Sequence, residues 1–264
     1  MRSALRTAIA LHRSGHLDRA ASLYQELLAS EPRNADALHW FGMLLYEQGD
    51  HARATDLMAQ AVALKPDAYL FHGNLAEVYR AAGDFARAEE SCRAAIRIWP
   101  DYPEALLGLG TALTSLKRPA EAVVPLRRAV ELQPSFVVAI NNLGIALREL
   151  GQTQEALVQF RRAVDVEPLY APAQTNLGQA LLILDKKEEA LAHCQEAVRL
   201  DPSSAEIHDN LGNVLQALDR LDEAWTAYWE ALRLNPELPL ANAHVGLLLQ
   251  KKGHFAEEIG RAHV

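Results

Sequence analysis

The sequence predicts an all-α solenoid built from stacked 34-residue helix–turn–helix repeats. Three observations carry that expectation. Pro32, Pro66, Pro100, Pro134, Pro168, Pro202 and Pro236 recur 34 residues apart without slippage. Counted from Met1, the eighth position of every period is small: Ala8, Gly42, Ala76, Gly110, Gly144, Gly178, Gly212, Gly246. The twentieth is alanine throughout, at Ala20, Ala54, Ala88, Ala122, Ala156, Ala190 and Ala224.

Within one period there is room for two helices of roughly 13 residues, each about 20 Å long, and a turn between them. Gly15, Gly49, Gly83, Gly151 and Gly253 mark the end of the first helix, where a left-handed cap is needed. Small residues at the eighth and twentieth positions allow the two backbones to approach. Leu75, Leu109, Leu143, Leu177 and Leu211, with Val62, Ile96, Val130 and Val164, supply the buried apolar stripe. Acidic pairs such as Glu188 and Glu189 open second helices and complement the helix dipole. The prolines end the second helix, since proline withholds a backbone donor and restricts the residue before it. The fourth repeat departs from this pattern. It has Lys117 at the turn and Pro125 inside its second helix, where a kink or a lost hydrogen bond is expected. Asp185 and Asp219 also replace the turn glycine, and aspartate tolerates that conformation better than most residues.

These columns resemble the tetratricopeptide repeat family, whose pattern carries Leu-Gly, alanine and an aromatic at fixed offsets and ends in proline. The resemblance covers residues 1 to about 257, with repeats starting at 1, 35, 69, 103, 137, 171 and 205 and a partial one at 239. It implies one antiparallel helix pair per repeat, stacked into a right-handed superhelix, with first helices lining a concave groove and second helices outside. Glu258 stands where the earlier repeats have alanine. The segment 258–264 matches a reading frame through a short-read sequencing adapter, so the natural chain is expected to continue beyond residue 257. Solenoid ends need a polar capping helix, and that helix is expected in the continuation.

Composition narrows the partners. With 34 acidic and 26 basic residues the net charge is −8, which gives no electrostatic reason to expect nucleic acid or an anionic membrane. No run approaches the roughly 18 apolar residues of a membrane span. The basic and apolar start of the chain is interrupted by Arg6 and Thr7 and reads as a helix rather than a leader, so a cytoplasmic protein is expected. Cys92 and Cys194 both occupy the twenty-fourth position, three repeats apart, and read as core residues that cannot be bridged. His12 and His16 have i,i+4 spacing, but Gly15 intervenes and no carboxylate or cysteine completes a set, so a solvated turn is expected rather than a metal site. Gly108-Leu-Gly110 lies inside a helix and follows no strand, which argues against a dinucleotide fingerprint. No phosphate loop, zinc-protease motif or nucleophile elbow is present, so neither catalysis nor a cofactor is expected.

The expected partner is a protein or peptide. On the first helix, positions seven, eight and eleven face the core, which leaves two, five, six, nine, twelve and thirteen for the groove. The sixth position reads Arg6, Trp40, Asn74, Gly108, Asn142, Asn176, Asn210, His244. A row of asparagines can donate to and accept from the backbone of an extended peptide, which favours broad specificity. This row resembles the asparagine ladder in the repeat arm of O-linked N-acetylglucosamine transferases, although Asn-Leu-Gly also occurs in repeats as simple consensus. Arg80, Arg148 and Lys251 can pair with acidic ligand groups, whereas Glu77, Glu149 and Asp209 do the opposite. Trp40, Met43 and Tyr46 form either an anchor pocket or packing between neighbouring first helices. On the outer face, Trp229 offers a second contact. Chaperone-tail-binding members carry lysine at the fifth position. Here that column reads Leu5, His39, Gly73, Leu107, Asn141, Thr175, Asp209 and Ala243, so no carboxylate clamp of that kind is expected. The chain thus reads as a protein–protein interaction scaffold. The alternative is the substrate-recruiting arm of a larger glycosyltransferase-type enzyme.

Overall fold

The structure is a computed structural model that describes residues 2–239 and 241–248. Lys251, Gly253, Phe255 and the segment 258–264 lie outside the described residues. Every regular element described is α-helical, and the chain divides into two compact units, Met1–Phe136 and Val137–Val264.

The first unit contains α1 (Arg2–Arg13), α2 (Leu17–Ser30), α3 (Ala35–Glu47), α4 (His51–Leu64), α5 (Tyr69–Ala81), α6 (Phe85–Ile98), α7 (Pro103–Ser115) and α8 (Pro119–Leu132). The second contains α9 (Val137–Glu149), α10 (Thr153–Val166), α11 (Ala171–Ile183), α12 (Lys187–Leu200), α13 (Ala205–Ala217) and α14 (Leu221–Leu234), followed by helical residues 241–248. In both units each odd-numbered helix packs on the helix that follows it, and that helix packs on the next odd-numbered one. First helices also touch one another: α1 with α3, α3 with α5 and α5 with α7 in one unit, α9 with α11 and α11 with α13 in the other. Among the described residues, second helices make no such contacts, so the first-helix layer of each unit is the closer-packed one.

The glycine column explains how closely a pair can pack. Met58, Leu126, Phe160, Cys194 and Tyr228, all at the twenty-fourth position, lie over Gly42, Gly110, Gly144, Gly178 and Gly212. A Cβ on Gly144 would come within 2.5 Å of Phe160 Cε1, and one on Gly178 within 2.6 Å of Cys194 Sγ. The large residue of the second helix therefore occupies the volume that a side chain on the first would take. Its alanine neighbours at the twentieth position are fully buried. Where the fourth position is polar, its side chain reaches back to the proline carbonyl and holds the inter-repeat turn. His72 Nε2 lies 3.0 Å from Pro66 O, Gln174 Nε2 donates to Pro168 O at 2.9 Å, and His208 Nε2 lies 3.0 Å from Pro202 O.

At the intra-repeat turns Gly15, Gly49, Gly83 and Gly151 have positive φ, as do Lys117 at 61°, Asp185 at 58° and Asp219 at 60°. Left-handed backbone strains a residue with a Cβ by roughly 1–2 kcal/mol, and aspartate less than lysine. Lys117→Gly is therefore expected to stabilise the first unit by about 1 kcal/mol in urea denaturation, after glycine's greater freedom in the unfolded chain is offset. A lower midpoint would show that Lys117 carries no strain. The helix α8 runs unbroken through Pro125, whose missing N–H leaves the Glu121 carbonyl without its helical donor. Among the described residues, no helix is long and apolar enough to cross a membrane.

Candidate functional site

The first-helix layer differs from its expected pattern at one column. Helix geometry assigns the fifth position to the groove, opposite the seventh, eighth and eleventh, yet His39, Asn141, Thr175 and Asp209 are all buried. Each first helix packs on its own second helix and on neighbouring first helices, so its buried arc is wider than a single amphipathic stripe. Buried polar groups need partners. Three of these four find one at the sixth position of the next repeat, 35 residues on. Asn74 Nδ2 lies 3.1 Å from His39 Nε2, Asn176 Nδ2 donates to Asn141 Oδ1 at 3.1 Å, and His244 Nδ1 lies 2.8 Å from Asp209 Oδ1. The i,i+35 spacing of polar residues in the fifth and sixth columns was the sequence signal for these bonds.

In the first unit, Asn74, Trp40, Met43, Tyr46 and Arg80 are all half-buried. Trp40 packs on α1, with the His12 ring edge-on at 6.3 Å and the Arg13 guanidinium 5.5 Å over its face. Met43 and Tyr46 pack against the cluster around Phe41, Leu44 and Val78. The Tyr46 hydroxyl donates to Glu77 Oε1 at 3.3 Å, and Arg80 Nε donates to Glu77 Oε2 at 2.8 Å. Here the aromatic residues pack on neighbouring helices while staying half-buried, and the Arg80 charge is met by its own helix neighbour.

In the second unit, Asn142, Asn176 and Asn210 stand half-buried on α9, α11 and α13. The half-buried Arg148 lies among them. Its Nη1 donates to Asn176 Oδ1 at 3.1 Å and to Gln179 Oε1, and its guanidinium lies 5.8 Å over the Phe160 ring. Gln179 Nε2 in turn donates to Asn210 Oδ1 at 2.6 Å. Two orientations of amide are thereby fixed by one cation. Arg148, Gln179, Leu182, Ile183, Asn210, Asn213, Val214, Gln216, Ala217 and His244 line a cleft of about 610 Å³. Behind it the Tyr228 hydroxyl lies 2.9 Å from Asn213 Oδ1 and 2.8 Å from Gln216 Oε1, and its single proton serves one at a time. Burial pushes the Arg148 guanidinium below its ordinary pKa, with the Glu149 carboxylate opposing.

Other candidates sit elsewhere. The solvated turn expected for His12 is corrected: the ring is buried, 3.0 Å from Glu47 Oε2 and 3.5 Å from the Tyr24 hydroxyl. His16 lies beyond the left-handed Gly15 and is exposed, with Nδ1 3.0 Å from Ser14 Oγ. Among the described residues no cluster of His, Cys, Asp and Glu could hold a metal. Cys92 and Cys194 are buried, and burial pushes both thiols up to about 12. Trp229 is 50 % exposed on α14, edge-on to Trp225 at 5.7 Å.

The sequence profile of the tetratricopeptide repeat matches residues 5–69, 41–103, 74–135 and 141–205, and a second profile of the same description matches residues 205–238. No curated protein sequence matches the chain. Among solved structures, YrrB, described as a TPR protein with an unusual peptide-binding site, shares 26% identity over 69% of this chain and 94% of its own, with a TM-score of 0.56. A thermophilic TPR protein of Thermus thermophilus shares 25% identity over 69% of this chain and 100% of its own, with a TM-score of 0.60. A chain of the APC/C hetero-tetramer Cut9-Hcn1 superposes with a TM-score of 0.79 at 19% identity, a likeness of fold alone. This chain covers 92% of its own length there but 48% of that chain, about half.

Proposed function

We propose that this chain, which belongs to the tetratricopeptide repeat family, is a protein–protein interaction scaffold that holds an extended peptide segment along its first-helix face. The observation that carries the reading is the run of Asn142, Asn176 and Asn210 on successive first helices of the second unit. An amide offers two N–H groups and two lone pairs. Asn176 spends one donor on Asn141 and one lone pair on Arg148, and Asn210 spends one lone pair on Gln179. What remains is oriented toward a ligand by bonds already made, which lowers the ordering cost of binding. Packed helices lie roughly 8–10 Å apart, and an extended chain advances about 3.3 Å per residue, so its backbone meets one asparagine every three residues or so. Backbone contacts of this kind select for extended conformation more than for sequence. YrrB, described as having an unusual peptide-binding site, is a precedent for peptide binding by a protein built of these repeats.

The test is calorimetric titration with a peptide selected on the chain from a random display library. Replacing Asn142, Asn176 and Asn210 together by alanine is expected to weaken binding by up to about 3 kcal/mol, at about 1 kcal/mol per hydrogen bond. A melting curve for the triple variant separates this loss from the cost of the severed inter-repeat bonds. Unchanged affinity in a folded variant would remove the ladder from the binding site.

A further inference from the structure

Arg148 differs from four other arginines of its unit. Arg161 pairs with Glu189, Arg199 with Glu196, Arg220 with Glu223 and Arg233 with Glu230. Among the described residues no carboxylate lies within ion-pair distance of Arg148, which donates to neutral amide oxygens instead. The repeat register shows why. Arg80 and Arg148 both occupy the twelfth position, and Arg80 is paired by Glu77 at the ninth. At the ninth position of the Arg148 repeat stands Ile145. A half-buried guanidinium that touches no carboxylate, with only the neighbouring Glu149 charge acting on it from a distance, is costly in this form, and an arriving carboxylate would supply the direct contact that the fold omits.

The donor count agrees. Both Asn176 and Gln179 take hydrogens from Nη1, leaving Nε and Nη2 with no partner among the described residues. Those two atoms form the parallel edge that grips a carboxylate side-on. Around Arg148 the cleft is lined by Leu182, Ile183, Val214 and Ala217, interrupted by the amides of Gln179 and Asn210. Apolar walls with a few placed polar groups suit a short stretch of peptide rather than a lone ion.

We infer that this cleft is a specificity subsite, in which Arg148 receives the carboxylate of an aspartate or glutamate side chain flanked by apolar residues of the bound peptide. The inference rests on the peptide-binding reading above. A segment lying along Asn142, Asn176 and Asn210 continues on both sides of Arg148, so the carboxylate that arrives there belongs to a side chain and not to a chain end. The ladder grips backbone at any sequence, and Arg148 sets which residue stands at one place in the register.

A twelve-residue random peptide library, displayed with both ends embedded in its carrier, is panned against the full chain. Selected peptides are expected to share Asp or Glu at one position, and changing it to Asn or Gln should weaken binding about 10- to 100-fold, the range for hydrogen bonds to a charged group. Arg148→Gln should abolish that discrimination while peptides still bind, and Arg148→Glu should select Lys or Arg at the same position, which also shows the variant is folded. Arg80→Gln, in the paired repeat, should leave the preference intact. If peptides bind with no acidic preference, or the preference survives Arg148→Gln, the subsite is overturned and the groove reading stands. If a parallel library with free C-termini shows a requirement for the terminal carboxylate instead, the assignment to a side chain is overturned. If the wild-type chain selects no peptide, both readings fall together.

Discussion

Phe160→Ala is expected to destabilise the second unit by about 3–5 kcal/mol, the usual cost of emptying a buried aromatic site. Phe160 is fully buried, lies over Gly144 and carries the Arg148 guanidinium on its ring. Gly144→Val should also destabilise, by about 1–3 kcal/mol, because its Cβ would meet the same ring. The two changes occupy one volume, so they should not add. In urea denaturation the double variant is expected to be at least about 1 kcal/mol more stable than the sum of the singles implies. Simple additivity would mean that the helices separate rather than exchange volume, and the glycine column would then need another explanation.

The second large effect is one of pH in the first unit. Burial lowers the pKa of His39 to about 4, against a small opposing pull from Asp36. The ring is stacked 4.1 Å from Phe71, and Nδ1 has no partner among the described residues. Because the folded pKa lies below the unfolded value, the neutral ring's contribution is fully present above about pH 6.5. It is lost as pH falls from there toward 4, since the unfolded chain takes up a proton that the native chain refuses. The loss amounts to about 3 kcal/mol at the lower limit, from the size of the shift. His193 is shifted the same way by burial, so the comparison is made against His39→Gln. Urea midpoints at pH 7, 5.5 and 4 should converge for the two proteins as pH falls. Parallel curves would show that His39 is protonated, or solvated, in the fold.

Much of this architecture was legible in the sequence because a repeat states each requirement several times. The proline column and the alanines at the twentieth position needed no structure to interpret. The partner of the glycine column was harder to see. Met58, Leu126, Phe160, Cys194 and Tyr228 share a position but no chemistry, and only the geometry shows that each fills the volume beside a glycine. The fifth position misled for a physical reason. A position opposite the core-facing seventh, eighth and eleventh ordinarily faces water, and His39, Asn141 and Asp209 read that way until their i,i+35 partners are counted. The same bonds change the meaning of the asparagine row, in which Asn74 and Asn176 stitch adjacent repeats. Arg80 and Arg148 looked equivalent in the sequence, and they separate once the ninth position is read as the site of a counter-ion. His12 was misplaced because its neighbours Gly15 and His16 signal a turn, while the ring itself points back toward Tyr24 and Glu47.

The most direct measurement of where a ligand lies is photo-cross-linking. A peptide selected on the chain, carrying a photoreactive residue at each position in turn, is cross-linked to the full protein and the attachment sites are mapped by mass spectrometry. Attachment along α9, α11 and α13, advancing by one helix for about every three peptide residues, is the expected result. Attachment to α10, α12 or α14, around the exposed Trp229, would contradict the first-helix face as the binding surface.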